Sequence, residues 1–161
     1  MLNPTPIVED FDETRALAFM DQMGAVINSG AISVMLSVGH RSGLFEIMND
    51  SKAETAEQIA RTANLNARYV REWLSALAVS NIVEFDPARQ TFRLPKEHAA
   101  CLTRTGILGN MAGFAQAVPV MGAIENRILE CLETGEGTTY ADYPCFHSFM
   151  VDAGSGVLAN L

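Results

Sequence analysis

His98-x-x-Cys101 and Cys145-x-His147 place imidazole and thiol side chains three and two residues apart. Thiolate and neutral imidazole are the ligands zinc prefers, so the four residues have the chemistry of a metal site. Forty-three residues separate the two halves, however, and neither spacing is that of a zinc finger. Buried thiols and helix-end histidines account for them more simply, and no metal is expected. His40 stands alone beside a turn and reads as a cap or surface group. Nucleophilic catalysis has no better footing. Nothing in the sequence sets Cys101 or Cys131 beside a base. Ser37, Ser42 and Ser75 lie outside any Gly-x-Ser-x-Gly elbow. Asp10, Asp12 and Glu13 cluster as helix-start acids do rather than as a general acid/base pair. Asp152-Ala153-Gly154-Ser155-Gly156 carries the acid and Gly-x-Gly of a nucleotide loop, which needs a strand before it and a helix after it. A helical pattern at Phe146–Met150 precedes it instead, and five residues follow, so it reads as a helix end or a helix–helix turn. No catalytic residue is assigned.

Binding chemistry is better represented. Phe114, Met121, Tyr140, Phe146, Phe149 and Met150 are candidates to line an apolar pocket, with Gln116 as its polar handle. Ordinary core packing competes for each of them. Arg68, Arg71, Arg89 and Arg93 suit phosphate or guanine contacts. Against a nucleic-acid reading stands the charge. Eleven basic against 19 acidic residues give a net charge of −8 and a pI near 4.8. Residues 1–51 hold two basic and seven acidic residues, residues 52–96 seven and five, and residues 97–161 two and seven. A centre of +2 between two arms of −5 offers few of the cationic contacts that DNA binding requires. Glu72 beside Arg71 would repel phosphate. Nucleic acid is therefore an unexpected partner.

The elements that must position these residues are mostly helical. The chain has 161 residues, of which 48% are hydrophobic and 19% charged, the composition of one globular domain. A helical arm spans residues 12–50. It starts near Asp12 or Thr14 and carries Leu17, Met20, Met23, Gly24 and Ile27 at spacings of three and four. Gly30 breaks or relays it, Ala31–Val38 is apolar almost all round, and Leu44–Met48 forms a further short helix. Residues 51–96 are the most legible part. Thr55-Ala56-Glu57-Gln58 has the form of a capping box, Ala63–Leu65 makes a turn, and Asn66 caps a second helix with Val70, Trp73, Leu74 and Leu77 on one face. Asn81 marks its end. Ile82–Phe85 and Thr91–Leu94 alternate as strands around an Asp86-Pro87 turn. Helix, turn, helix and a two-stranded β-hairpin make a winged helix-turn-helix in a mainly α chain. Residues 97–161 return to helix: a short piece at Glu97–Cys101, two helices bent around Val118-Pro119 within Gly109–Glu133, and a last helix holding Phe146, Phe149 and Met150.

Gln58-Ile59-Ala60 followed by Leu65-Asn66-Ala67-Arg68-Tyr69-Val70-Arg71-Glu72-Trp73-Leu74 resembles a signature of bacterial-type class I S-adenosylmethionine-dependent methyltransferases. Ile82–Asp86, Phe92–Leu102, Phe114-Ala115-Gln116 with Val118-Pro119, and Tyr140 through Met150 extend the resemblance, which runs from about Met20. The order of parts is also similar to that of plant small-molecule O-methyltransferases. The resemblance implies an N-terminal winged-helix region whose flanking N- and C-terminal helices mediate homodimerisation and cover a substrate pocket. It further implies that a Rossmann-like domain follows and binds S-adenosylmethionine through an Asp-Val-Gly-Cys-Gly-Ser-Gly-type loop. That loop is not in these 161 residues, so no cofactor is expected in this chain and no catalytic residue carries over.

Three readings follow. The chain is the dimerisation and substrate-cap domain of a small-molecule methyltransferase, a free-standing winged-helix transcriptional regulator that senses a ligand, or a module that pairs with a full-length methyltransferase. The first is preferred, as a single domain over residues 1–161. Residues 12–38 and 107–132 are too apolar for a small domain to cover alone, which points to a homodimer with Met20, Met23, Ile27, Val34 and Met35 at the interface. An apolar small molecule is the expected ligand. Three scattered cysteines without a Cys-x-x-Cys, no signal-peptide pattern and no stretch approaching the roughly 20 apolar residues of a membrane span suggest a cytoplasmic protein away from membranes.

Overall fold

Asp12 starts the first helix, α1 (Glu13–Ser42), by accepting a hydrogen bond from the Arg15 backbone N–H at 2.9 Å. The computed structural model describes residues 11–50 and 52–158; Asp10 lies outside them. The helix runs unbroken for 30 residues, so the break expected at Gly30 does not occur. A glycine inside a helix costs about 1 kcal/mol relative to alanine, too little to end one that is otherwise well formed. Ser29, Ser33 and Ser42 each return their hydroxyl to the carbonyl four residues back. The stop comes at Gly43, whose φ of 74° lets its N–H reach back to Gly39 and His40. The helix is long and apolar enough to cross a membrane, contrary to the expectation above. Serines and glycines interrupt every apolar run without making the stretch polar on average.

Only the C-terminal part of α1 is packed. α2 (Leu44–Ile47) turns back beneath it, and Phe45, fully buried, meets Trp73 edge to face at 5.3 Å between ring centroids. Gly39 makes this junction possible. A Cβ there would lie 2.5 Å from both the Phe45 and the Trp73 ring. The Trp73 indole N–H donates to the Met35 carbonyl of α1 at 2.9 Å, joining the arm to the winged helix.

That winged helix follows its local signals. Thr55 and Gln58 form the capping box of α3 (Ala56–Ala63), Asn64 turns left-handed at φ 53°, and Asn66 caps α4 (Ala67–Val79). Val70, Trp73, Leu74 and Leu77 are buried along α4 and pack with Ile59, Ala60, Leu94 and Leu102 in one core. The wing is shorter than expected. β1 (Glu84–Asp86) pairs antiparallel with β2 (Thr91–Arg93) in the register Glu84 to Arg93. Ile82 and Val83 turn their N–H groups back to the Leu77 carbonyl and so do not join the strand. Glu54 adds a bridge to the free edge of β2 at Phe92.

After α5 (Lys96–Leu102) the chain makes three helices where two were expected: α6 (Met111–Phe114), α7 (Ala117–Gly122) and α8 (Glu125–Thr134). Pro119 is not the bend. It occupies the first turn of α7, where a backbone N–H has no helical partner to lose. The last helix, α9 (Phe146–Leu158), continues through residues 152–156, so that Gly-x-Gly segment is helical backbone rather than a helix end or a turn. α6 packs against both α1 and α9.

Candidate functional site

His40 is buried to 1% exposure, which corrects its reading as a cap or surface group. Its ring links three helices. Asn110 accepts from the Gly113 N–H through Oδ1 at 2.8 Å, and so presents Nδ2 as donor to His40 Nδ1 at 3.3 Å. Nδ1 then acts as acceptor, and Nε2–H points to the Asp152 carboxylate on α9 at 3.3 Å. Gln116 Nε2 donates to the same carboxylate oxygen at 3.1 Å and to the Gly113 carbonyl at 3.2 Å. Arg104 donates to the His40 carbonyl at 2.8 Å and pairs with Glu46. Burial pushes the Asp152 carboxyl up, but hydrogen bonds from Gln116 and His40, with the fields of His40 and Arg104, outweigh it and leave it below its ordinary value. The network ties α9 to α1. Sequence spacing could not reveal it, because His40 and Asp152 are 112 residues apart.

The pocket candidates divide between two cavities. Gln116 and Phe149 line one of about 220 Å³ between α1, α7 and α9, together with Ser37 and Arg41. Met121, Tyr140 and Phe146 line another of about 420 Å³ beside Thr139 and Tyr143. The Phe146 and Phe149 rings, 6.1 Å apart, stand between the two. Phe114 and Met150 are exposed and line neither. Gln116 is the buried member, as suits a polar handle.

Two of the interface candidates, Met20 and Ile27, are exposed to 62% and 73%, on a stretch of α1 that also exposes Leu17, Phe19 and Val26. Met23, Val34 and Met35 are half-buried. Met35 packs on the core and, with Val79 of α4, lines an open groove of about 860 Å³ between the two helices.

The four arginines do not form a free basic surface. Arg71 pairs with Glu57, Arg93 with Glu84 across the wing, and Arg89 with Asp86. Arg68 is left without an acidic partner among the described residues. His98 Nδ1 contacts the Ile82 carbonyl at 2.8 Å, and no three metal-ligating side chains converge among the described residues.

Residues 30–104, which hold the capping box, both helices and the wing, match the family model described as the Rv2258c-like winged HTH domain. This segment has the winged helix-turn-helix fold. Beyond it, about nine-tenths of the chain is similar in fold to the N-terminal part of S-adenosylmethionine-dependent O-methyltransferases. It superposes on the mitomycin 7-O-methyltransferase MmcR with a TM-score of 0.61 at 18% identity, over 89% of this chain and 39% of that one. For CalO1, a methyltransferase in calicheamicin biosynthesis, the values are 0.62, 17%, 94% and 47%. For human N-acetylserotonin methyltransferase they are 0.62, 11%, 91% and 42%. The chain thus spans less than half the length of these structures. No curated protein matches it in sequence. The matched segment also includes the C-terminal part of α1 with Ser37, His40 and Arg41, and the later helices supply the other members of the buried network and the remaining cavity walls.

Proposed function

We propose that this chain is the dimerisation and substrate-cap domain of an S-adenosylmethionine-dependent small-molecule methyltransferase, and that methyl transfer itself depends on a cofactor domain outside these residues. The observation that carries the reading is the apolar surface of α1. A helix that is packed only in its C-terminal part exposes Leu17, Phe19, Met20, Val26 and Ile27 in one stretch. Surfaces of this kind on a folded domain mark interfaces. The groove between α1 and α4, with Ile32, Met35 and Val79 in its lining, adds apolar surface on the same helix. The two cavities support the cap role, because apolar and aromatic side chains such as Val120, Phe149, Met121 and Phe146 line them.

A membrane is a poorer occupant for α1. Crossing a bilayer would strip the Trp73 bond to Met35 and the His40 network from its C-terminal half. A DNA-reading role is the weaker reading, since three of the four arginines considered for it pair with neighbouring acids. The test is sedimentation velocity on the chain and on its Met20→Glu/Ile27→Glu variant. Two copies per particle are expected for the unmodified chain and one for the variant, because buried like charges at an isologous interface repel. Unchanged sedimentation of the variant would overturn the interface.

A further inference from the structure

The smaller cavity is lined by polar atoms that the fold itself leaves unused. Ser37 is buried to 3% exposure, one turn before Arg41 on the same face of α1. Ser29, Ser33 and Ser42 of that helix all spend their hydroxyls on the carbonyl four residues back; Ser37 makes no such bond among the described residues. Arg41 is likewise without an acidic partner among them, whereas Arg71, Arg89, Arg93, Arg104 and Arg127 each have one. Gln116, which lines the same space, commits its Nε2 to Gly113 and Asp152 and keeps its Oε1 as an acceptor. Asp152, the nearby carboxylate, is already engaged by Gln116 and His40. The remaining wall is formed by Pro119, Val120, Pro144, Cys145 and Phe149, with the hydroxyl-bearing Ser148 among them.

We propose that this cavity binds a hydroxylated monocyclic aromatic acid. Its carboxylate would lie on Arg41 and the Ser37 hydroxyl, its ring between Val120 and Phe149, and its hydroxyl against Gln116 Oε1. The guanidinium fork matches a carboxylate in two parallel hydrogen bonds, and a hydroxyl donor beside it completes the set. About 220 Å³ is below the roughly 300–1,000 Å³ of pockets that take drug-sized ligands, so one ring fits and a polycyclic system does not. The inference rests on the cap reading only for calling the acid a substrate.

Calorimetric or ligand-observed NMR titration with 4-hydroxybenzoate and with its neutral methyl ester tests it on the 161-residue chain. The acid is expected to bind at least about tenfold more tightly than the ester. Arg41→Gln, an exposed position, should abolish that preference, and Ser37→Ala should weaken it. Arg61→Gln on α3 should leave it intact, and Trp73 emission reports that each variant is folded. Equal binding of acid and ester, or a preference that survives Arg41→Gln, would overturn the carboxylate site. Binding of neither compound would overturn the cavity as a ligand site. An unchanged particle mass in either case keeps that failure separate from the dimer.

Discussion

Gly39 shows how much one residue can decide. Its missing side chain lets Phe45 and Trp73 close on α1, and both rings are too buried to move aside. Gly39→Ala is expected to cost about 1–3 kcal/mol, the usual range for overpacking a filled core. Urea unfolding followed by the fluorescence of Trp73, the one tryptophan, measures it. An unchanged midpoint would mean that the junction is looser than described. Asp152 acts at the same scale through charge. Its carboxyl titrates below the ordinary aspartate value, so its contribution to stability is complete above that value and is lost as pH falls through the lower, folded one. Asp152→Asn should therefore lower stability at neutral pH and flatten the loss of stability as pH falls through and below the ordinary aspartate range. A variant with the same acid limb as the parent would place the titration elsewhere.

At the level of elements, legibility followed distance along the chain. The capping box at Thr55 and Gln58, and the cap at Asn66, act within three residues, so the sequence predicts α3 and α4 almost to the residue. Thr55→Ala removes one half of that box and is expected to cost about 1 kcal/mol in thermal or urea unfolding, with a change under a few tenths contradicting its role. Residues 97–134 were harder to read because Pro119 has two meanings. Inside a helix it breaks it, but in a first turn it starts one, and only the packing of α6 and α7 on α1 distinguishes them. Gly30 misled in the same way, since its weak local preference is overridden by the 30-residue helix around it. The candidate site was legible by residue type and not by partner. Gln116, Phe149, Met121, Tyr140 and Phe146 do line cavities. Ser37, Arg41 and His40 were missed, because their significance comes from helices that reach them from more than 70 residues away. The one available signal was the polar run His40-Arg41-Ser42 that closes the helix after the largely apolar Ala31–Val38.

The whole molecule divides into a part that is complete and a part that is not. The winged-helix segment fills its own core, with Leu74, Leu77 and Leu94 fully buried. Among the described residues nothing covers the first half of α1 in this way, and its apolar residues Leu17, Phe19, Met20, Val26 and Ile27 are exposed. The acidic surface, net −8, sets the conditions: like-charged copies associate more readily as salt screens them, so association should strengthen with ionic strength if apolar contact drives it. The measurement that tests the central claim most directly is the absolute molar mass of the unmodified chain by light scattering between about 5 and 100 µM at physiological salt. The account predicts a particle of two 17.4 kDa chains across that range. A monodisperse particle of one chain at the top of the range would contradict it.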